Sequence, residues 1–242
     1  MNIKPLTING KVVKFPIIQG GMGIRISLNK LATACMNSGI VATISAAQPG
    51  FLRKNFKTDP ITENKAALKS EIEIIRQSNP NGILGVNLMH AGNNYADYCT
   101  FLAQQDIDFI VSGAGLPVDL PEYIKGTKVK GAFITSSARA AKLLLKSWDR
   151  RYSYMPEFIV CEGPLAGGHL GFSKEDFESG DVESLECIVA TTLEIVKPYE
   201  EKYGIHIPVI AAGGIHDGKD IAKMIKAGAD GVQMATRFIG TY

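Results

Sequence analysis

Eight short runs of apolar, largely β-branched residues recur along this chain, separated by longer stretches whose apolar residues fall at helical spacing, and few folds accept that alternation. The runs are FPIIQ (15–19), GIVATIS (39–45), GILGVNLM (82–89), DFIVSG (108–113), VKGAFITS (129–136), EFIVCEG (157–163), IPVIAAGG (207–214) and DGVQMA (230–235). Near-continuous apolar runs, as opposed to alternating ones, mark strands covered on both faces, which is the condition of a parallel sheet.

The intervening segments carry single apolar stripes. After Ser27, expected as an N-cap, Leu28, Leu31, Ala32, Cys35 and Met36 share one helical face until Gly39 ends it. Leu68, Ile72 and Ile75 repeat the pattern, as do Leu185, Ile188, Val189 and Val196; Asp217 is expected to cap a helix bearing Ile221, Met224 and Ile225 before Gly228. Eight βα units of this size predict an α/β fold, a (β/α)8 TIM barrel. The doubly wound alternative would want GxGxxG in its first βα turn, which is absent. Because the sequence ends at Tyr242, directly after the eighth strand, the eighth helix and any lid beyond it are expected to be absent from residues 1–242.

At 45% hydrophobic content, 242 residues can bury a sizeable core. The net charge of +2 comes from basic residues spread along the chain, which argues against nucleic acid as a partner. The start, MNIKPLTINGK, has no signal-peptide core, and no apolar run approaches the ~18 residues of a membrane span. A cytoplasmic protein with no membrane partner is expected. Cys35, Cys99, Cys161 and Cys187 stand apart with no CxxC pair, so packed, reduced thiols are expected, with no metal site.

In such a barrel the chemistry sits where strands run out into βα loops. Those tips read Gln19 to Gly23, Ser45-Ala46, Asn87 to His90, Ser112 to Gly115, Thr135-Ser136, Glu162 to Gly171, Ala212 to Ile215, and Ala235 to Arg237. Paired carboxylates for glycoside chemistry, a His/carboxylate metal cluster and a strand-tip lysine for a Schiff base are all wanting. A rim of glycines and amides suits a protein that holds a cofactor and lets it carry the hard chemistry.

Gly213-Gly214 and Ala235-Thr236-Arg237 place free backbone N–H groups at neighbouring loop ends, as a phosphate cradle would; glycines needed only for tight turns are the competing reading. Gln19 and Asn87 each offer a donor and an acceptor to a heterocycle, although either alone also reads as structural. Of the four histidines, His206 precedes the seventh strand at the stability end, and His90 and His216 sit in the polar contexts HAGNN and HDGKD, which suit solvated or capping roles. His169 differs, since it follows a glycine run after the sixth strand, where backbone can bring an imidazole over a cofactor.

Taken together, PIIQGGMG, GPLAGGHLGF and AAGGI followed by GADGVQMATRF, in this order and at barrel spacing, closely resemble the nitronate monooxygenases, long called 2-nitropropane dioxygenases. The resemblance implies a single FMN-binding barrel domain over residues 1–242, without the family's C-terminal lid. It implies that Gly21, Met22 and Gly23 border the isoalloxazine, that Asn87 bonds it, and that Gly167 and Gly168 approach it by backbone. Gly213, Gly214, Ala235 and Thr236 would take the phosphate, while Gln19, Gly20, Gly113, Glu162, Ala212 and Gln233 complete the expected cofactor-binding set. His169 matches the family histidine that takes a proton from the carbon bearing the nitro group, or holds the nitronate anion. The implied reaction is oxidation of alkyl nitronates or nitroalkanes with O2 to a carbonyl compound and nitrite, with a homo-oligomer left open. The same barrel and AGGH motif occur in FMN- and NAD(P)H-dependent enoyl-acyl-carrier-protein reductases, which supply the alternative; a flavin-binding barrel without turnover is the third.

Overall fold

A computed structural model describes residues 4–169, 171–180 and 182–240. Each of the eight runs forms a strand: β3 (Ile17–Gln19), β4 (Ala42–Ser45), β5 (Leu84–Met89), β6 (Phe109–Gly113), β7 (Lys130–Thr135), β8 (Ile159–Glu162), β9 (Val209–Ala212) and β10 (Gly231–Met234). All pair in parallel, in the order β3-β10-β9-β8-β7-β6-β5-β4. The remaining seam is closed just before β4, where Gln19 N donates to Val41 O at 2.9 Å and Val41 N to Ile17 O at 3.0 Å. The result is a TIM barrel.

Helices α1 (Asn29–Asn37), α2 (Pro60–Ser78), α3 (Tyr95–Leu102), α4 (Leu120–Ile124), α5 (Ala138–Tyr152), α6 (Lys174–Ser179), α7 (Leu185–Tyr203), α8 (Gly218–Lys226) and α9 (Thr236–Ile239) follow the strands. The expected stripes face the sheet: Leu68, Ile72 and Ile75 on α2 and Leu185, Ile188, Val189 and Val196 on α7 are buried. Asp217 caps α8 as expected, accepting from the N–H groups of Lys219 and Asp220, while Asp220 completes a capping box. Ser27 is a correction: Leu28 occupies the N-cap of α1, and Ser27 is fully buried among the loops instead.

A hairpin was not expected at the N-terminus. Strands β1 (Leu6–Ile8) and β2 (Lys11–Val13) pair antiparallel around Asn9-Gly10, both at positive φ (51° and 73°), the turn conformation that matches strand twist. Its buried Leu6, Ile8 and Val13 join Ile18, Val41, Phe109, Val111, Phe158, Val160 and Ile210 in one cluster that fills the barrel lumen. The hairpin is tied to the strands' N-terminal ends. Asn9 Nδ2 donates to Lys128 O at 3.2 Å, and Lys11 Nζ lies 2.7 Å from Asp108 Oδ1. Burial alone would raise the Asp108 carboxyl, but Lys11, the Leu84 N–H and Arg76 outweigh it and hold it below the ordinary carboxylate range. The floor is plugged, so the open end is the C-terminal mouth.

Lumen packing is tight enough to test. Phe109 is fully buried, edge-on to Phe158 with ring centroids 5.0 Å apart, and fills the space left by Gly85, whose Cβ would lie 2.1 Å from the ring. Phe109→Ala is expected to cost about 3–5 kcal/mol, read as a lowered denaturant midpoint with an unchanged slope.

Candidate functional site

The two-residue period of a strand sets which side chains look into the mouth. On β8, Phe158 and Val160 belong to the lumen cluster, so Glu162 faces inward one step higher. Ala212 on β9 is part of that cluster, and on β10 Val232 and Met234 pack against the helices, which turns Gln233 inward. Register puts Glu162 beside Ala212 and Ala212 beside Gln233, so a carboxyl and an amide flank one small residue.

Above them the loops after β8, β9 and β10 converge. Glu162, Gly167, Ala212, Gly213, Gly214, Gln233, Ala235 and Thr236 line one cavity of ≈70 Å³, room for two or three water-sized groups. Gly213 (φ +102°) and Gly214 (φ +70°) hold conformations that L side chains rarely adopt, and a Cβ on Gly213 would sit 2.9 Å from Ala166 N. The cradle therefore depends on bare backbone. Gln233 Oε1 is buried without a hydrogen-bond partner, as is Thr43 Oγ1 on β4. Orphaned buried acceptors ask for a donor, and a ring with an N–H edge supplies one.

The loop after β3 crosses the mouth. A Cβ on Gly20 would meet Ala235 Cβ at 3.1 Å; one on Gly21 would meet Asn87 Cβ at 2.4 Å, and one on Gly23 would meet Ala47 Cβ at 2.7 Å. Ser27 fixes this loop: its Oγ accepts from Met22 N at 2.9 Å and from Gln19 Nε2 at 2.8 Å, and donates to Gly20 O at 3.2 Å. Gln19 Oε1 accepts from Thr43 N at 3.1 Å, so the Gln19 amide is committed to the scaffold and acts through the loop it holds. Sequence reading missed Ser27 in this role, because a serine ahead of an apolar stripe carries the ordinary signal of a cap. Gly113, at the tip of β6, packs against Ile134 and its carbonyl accepts from His90 N at 2.8 Å, away from the cavity.

His169 stands on an arc anchored at both ends. At the start, Gly163 N donates to Ala212 O at 2.9 Å and Ala166 N to Gly163 O at 3.1 Å; at the far end a Cβ on Gly171 would lie 2.5 Å from Ser136 Oγ. Between these anchors, Gly167, Gly168 (φ +93°) and His169 are exposed. His169 does not itself line the ≈70 Å³ cavity. His216 N donates to Asp220 Oδ2 at 2.8 Å, a capping arrangement, and His206 bridges Glu200 and Asp230 at the opposite end of the barrel. His90 pairs with Asp119 at 3.2 Å and packs edge-on to Tyr95.

Burial pushes the Glu162 carboxyl up to about 7. Below the unfolded value of 4.5 both states are protonated; between 4.5 and about 7 the unfolded chain ionises first, so the folded state loses ground until the penalty levels off. Glu162→Gln is therefore expected to match the wild type near pH 4.5 and to exceed it progressively toward pH 8, by at most about 3 kcal/mol. Denaturant midpoints of both proteins across that range measure it; parallel curves would show that Glu162 is not desolvated.

Among the described residues no group of three His, Cys, Asp or Glu could hold a metal ion, and no helix is long and apolar enough to cross a membrane. Cys35, Cys99 and Cys161 are buried free thiols, and Cys187 is exposed.

Comparison with known proteins bears on the family and the fold. The model of the nitronate monooxygenase family matches residues 4–242. A dehydrogenase of Mycobacterium tuberculosis acting on a hydroxy-methyl-oxo-octahydroindene-carboxyl-CoA is 27% identical over 95% of this chain and 54% of its own length. A putative nitronate monooxygenase of Saccharomyces cerevisiae is 42% identical over 34% of this chain and 21% of its own. The chain thus spans about half or less of these relatives. Two solved structures share the fold, each covering 94% of this chain: FabK of Thermotoga maritima (TM-score 0.70, 24% identity, 60% of that chain) and a nitroalkane oxidase of Streptomyces ansochromogenes (TM-score 0.70, 20% identity, 66% of that chain). With the family model matched from the N-terminal hairpin through the glycine cradle, the chain belongs to the nitronate monooxygenase family.

Proposed function

We propose that this chain binds FMN across the mouth of its barrel and oxidises alkyl nitronates or nitroalkanes with O2, yielding a carbonyl compound and nitrite. The family is FMN-dependent. The observation that carries the reading is the cavity where Gly213 and Gly214 meet Ala235 and Thr236 beside the unpartnered Gln233 acceptor. When bound, the flavin supplies a two-electron acceptor that O2 reoxidises.

The chain's own residues do the rest. Backbone N–H groups at Gly213-Gly214 and Ala235-Thr236 hold the phosphate, and Gln233 accepts from the ring's N–H edge. Gly20 to Gly23, held by Ser27, let backbone approach the ring closely, with Asn87 beside them. Glu162, whose carboxyl burial raises to about 7, stays mostly protonated below that pH and there adds no second negative charge beside the phosphate. For a neutral nitroalkane, a His169 ring nitrogen takes the proton from the carbon bearing the nitro group; for a preformed nitronate, the imidazolium holds the anionic oxygens. Free buried thiols suit the cytoplasm, where such an enzyme would work.

A second reading is a flavin-dependent reductase or dehydrogenase of acyl thioesters. It is favoured by the mycobacterial relative, which aligns along 95% of this chain where the yeast nitronate monooxygenase aligns along 34%. Anaerobic mixing of the flavin-loaded protein with ethyl nitronate and, separately, with NADPH decides between them. Bleaching by nitronate alone supports the first reading; bleaching by NADPH alone supports the second. Bleaching by neither leaves a barrel that binds flavin without turning it over.

A further inference from the structure

We propose that the cavity between the second and third βα loops is a tail pocket, taking an uncharged hydrocarbon chain of about eight to ten carbons that extends from the substrate's reacting carbon. The proposal rests on the reading above for where the reacting carbon sits. The pocket itself is defined by the chain alone.

At ≈340 Å³ the cavity is much larger than the glycine cradle and falls in the range of small-molecule pockets. It lies between Ala46 to Gln48 after β4, the first turn of α2, Leu88 and Met89 at the end of β5, and the start of α3. It also adjoins the loop that crosses the mouth. Gly23 packs on Ala47, which lines the cavity; Gly21 packs on Asn87, which precedes the lining Leu88; and Ala46 N donates to Asn87 O at 2.9 Å. A ligand reacting beside Asn87 thus has this space next to it.

The chemistry of the walls selects the occupant. None of the lining side chains is charged, and the floor is formed by the buried Leu88, Tyr95 and Tyr98. Two of its buried polar groups are already committed: Tyr95 OH donates to Ser112 Oγ at 3.0 Å, and Asn64 Oδ1 accepts from Gly50 N at 2.9 Å; the other amides in the lining, Gln48, Asn93 and Asn94, are uncharged and exposed. Phe56 lines the wall and stacks edge-on to Phe51, with centroids 5.6 Å apart. Phe51 and Leu52 are 51% and 72% exposed on the same loop as Phe56, and Ile24 is 50% exposed on the loop that carries Gly23. By contrast, the ≈160 Å³ cavity behind Gly214 has the charged Glu186, Asp220 and Lys223 in its lining. At roughly 30 Å³ per methylene-sized group, the larger space holds on the order of ten.

The test is a chain-length series on the flavin-loaded protein. Calorimetric binding of unreactive 1-alkanols from ethanol to 1-decanol is expected to tighten about three- to four-fold per methylene, levelling off near eight to ten carbons. KM for the corresponding primary nitronates is expected to fall in parallel. Two filling variants, Ile61→Trp at the start of α2 and Asn93→Trp on the α3 side, each lie in the lining and outside the cofactor set. Whichever of them folds is expected to weaken 1-octanol at least tenfold while leaving ethyl nitronate kinetics unchanged. A flat alkanol series, or a rising one that both folded variants leave intact, overturns the tail pocket. A rising series abolished by the variants, in a protein that oxidises no nitronate, upholds the pocket and refutes the reaction.

Discussion

His169→Asn is expected to slow oxidation of neutral nitroalkanes by about 10²–10⁴-fold, the usual worth of a positioned general base, while flavin content stays stoichiometric. The two halves of that expectation come from separate features. Asparagine keeps a polar side chain of similar reach but cannot accept a proton from carbon near neutral pH. Flavin content is preserved because His169 is exposed on its arc and does not line the cavity formed by Gly213, Gly214, Gln233 and Thr236. A preformed nitronate has no proton to lose, so its rate is expected to fall much less, unless the imidazolium chiefly holds the anion. Measuring kcat/KM for nitroethane and for ethyl nitronate across pH separates the roles. A loss confined to nitroethane and growing as pH rises identifies a base, a loss shared by both and fading as pH rises and the imidazolium deprotonates identifies an anchor, and unchanged rates for both would make His169 scaffolding.

The barrel was legible because a parallel strand covered on both faces leaves an uninterrupted apolar run, and all eight runs became strands. The hairpin was legible in principle. Asn9-Gly10 is a strong turn signal, but Thr7 and Val12 face outward, so each flanking segment offers only three residues of pattern. The meeting of neighbouring strand tips was legible too: the glycines after β9 and the Ala-Thr after β10 line one cavity because adjacent parallel strands end at one level. What sequence could not carry were the side-chain commitments. Whether Gln19 faces a ligand or Thr43 N, and whether Ser27 caps a helix or pins a loop, depends on which atoms the seam between β3 and β4 brings within 3 Å. The ≈340 Å³ cavity was equally invisible, since its walls come from four segments with no shared motif.

Gly214→Asp is expected to abolish FMN retention, and its uncharged partner Gly214→Asn separates the reason from mere strain. Position 214 sits at φ +70°, and any Cβ there would lie 2.9 Å from Leu165 Cβ. Both substitutions therefore meet the same crowding, which the 78% exposed Leu165 can relieve by shifting outward. Both also belong to the residue types that tolerate a left-handed backbone best. Only Asp adds charge. Two unit charges about 4 Å apart at an effective dielectric near 20 repel by about 4 kcal/mol, and the phosphate carries more than one. The carboxylate is thus expected to weaken FMN by on the order of 10³-fold or more relative to Asn, enough to strip the flavin on a desalting column. The effect should fade as pH drops and the new carboxyl protonates, a dependence that strain alone cannot produce. Equal loss in both variants would assign Gly214 to turn geometry, and full retention in the Asp variant would move the phosphate elsewhere in the mouth.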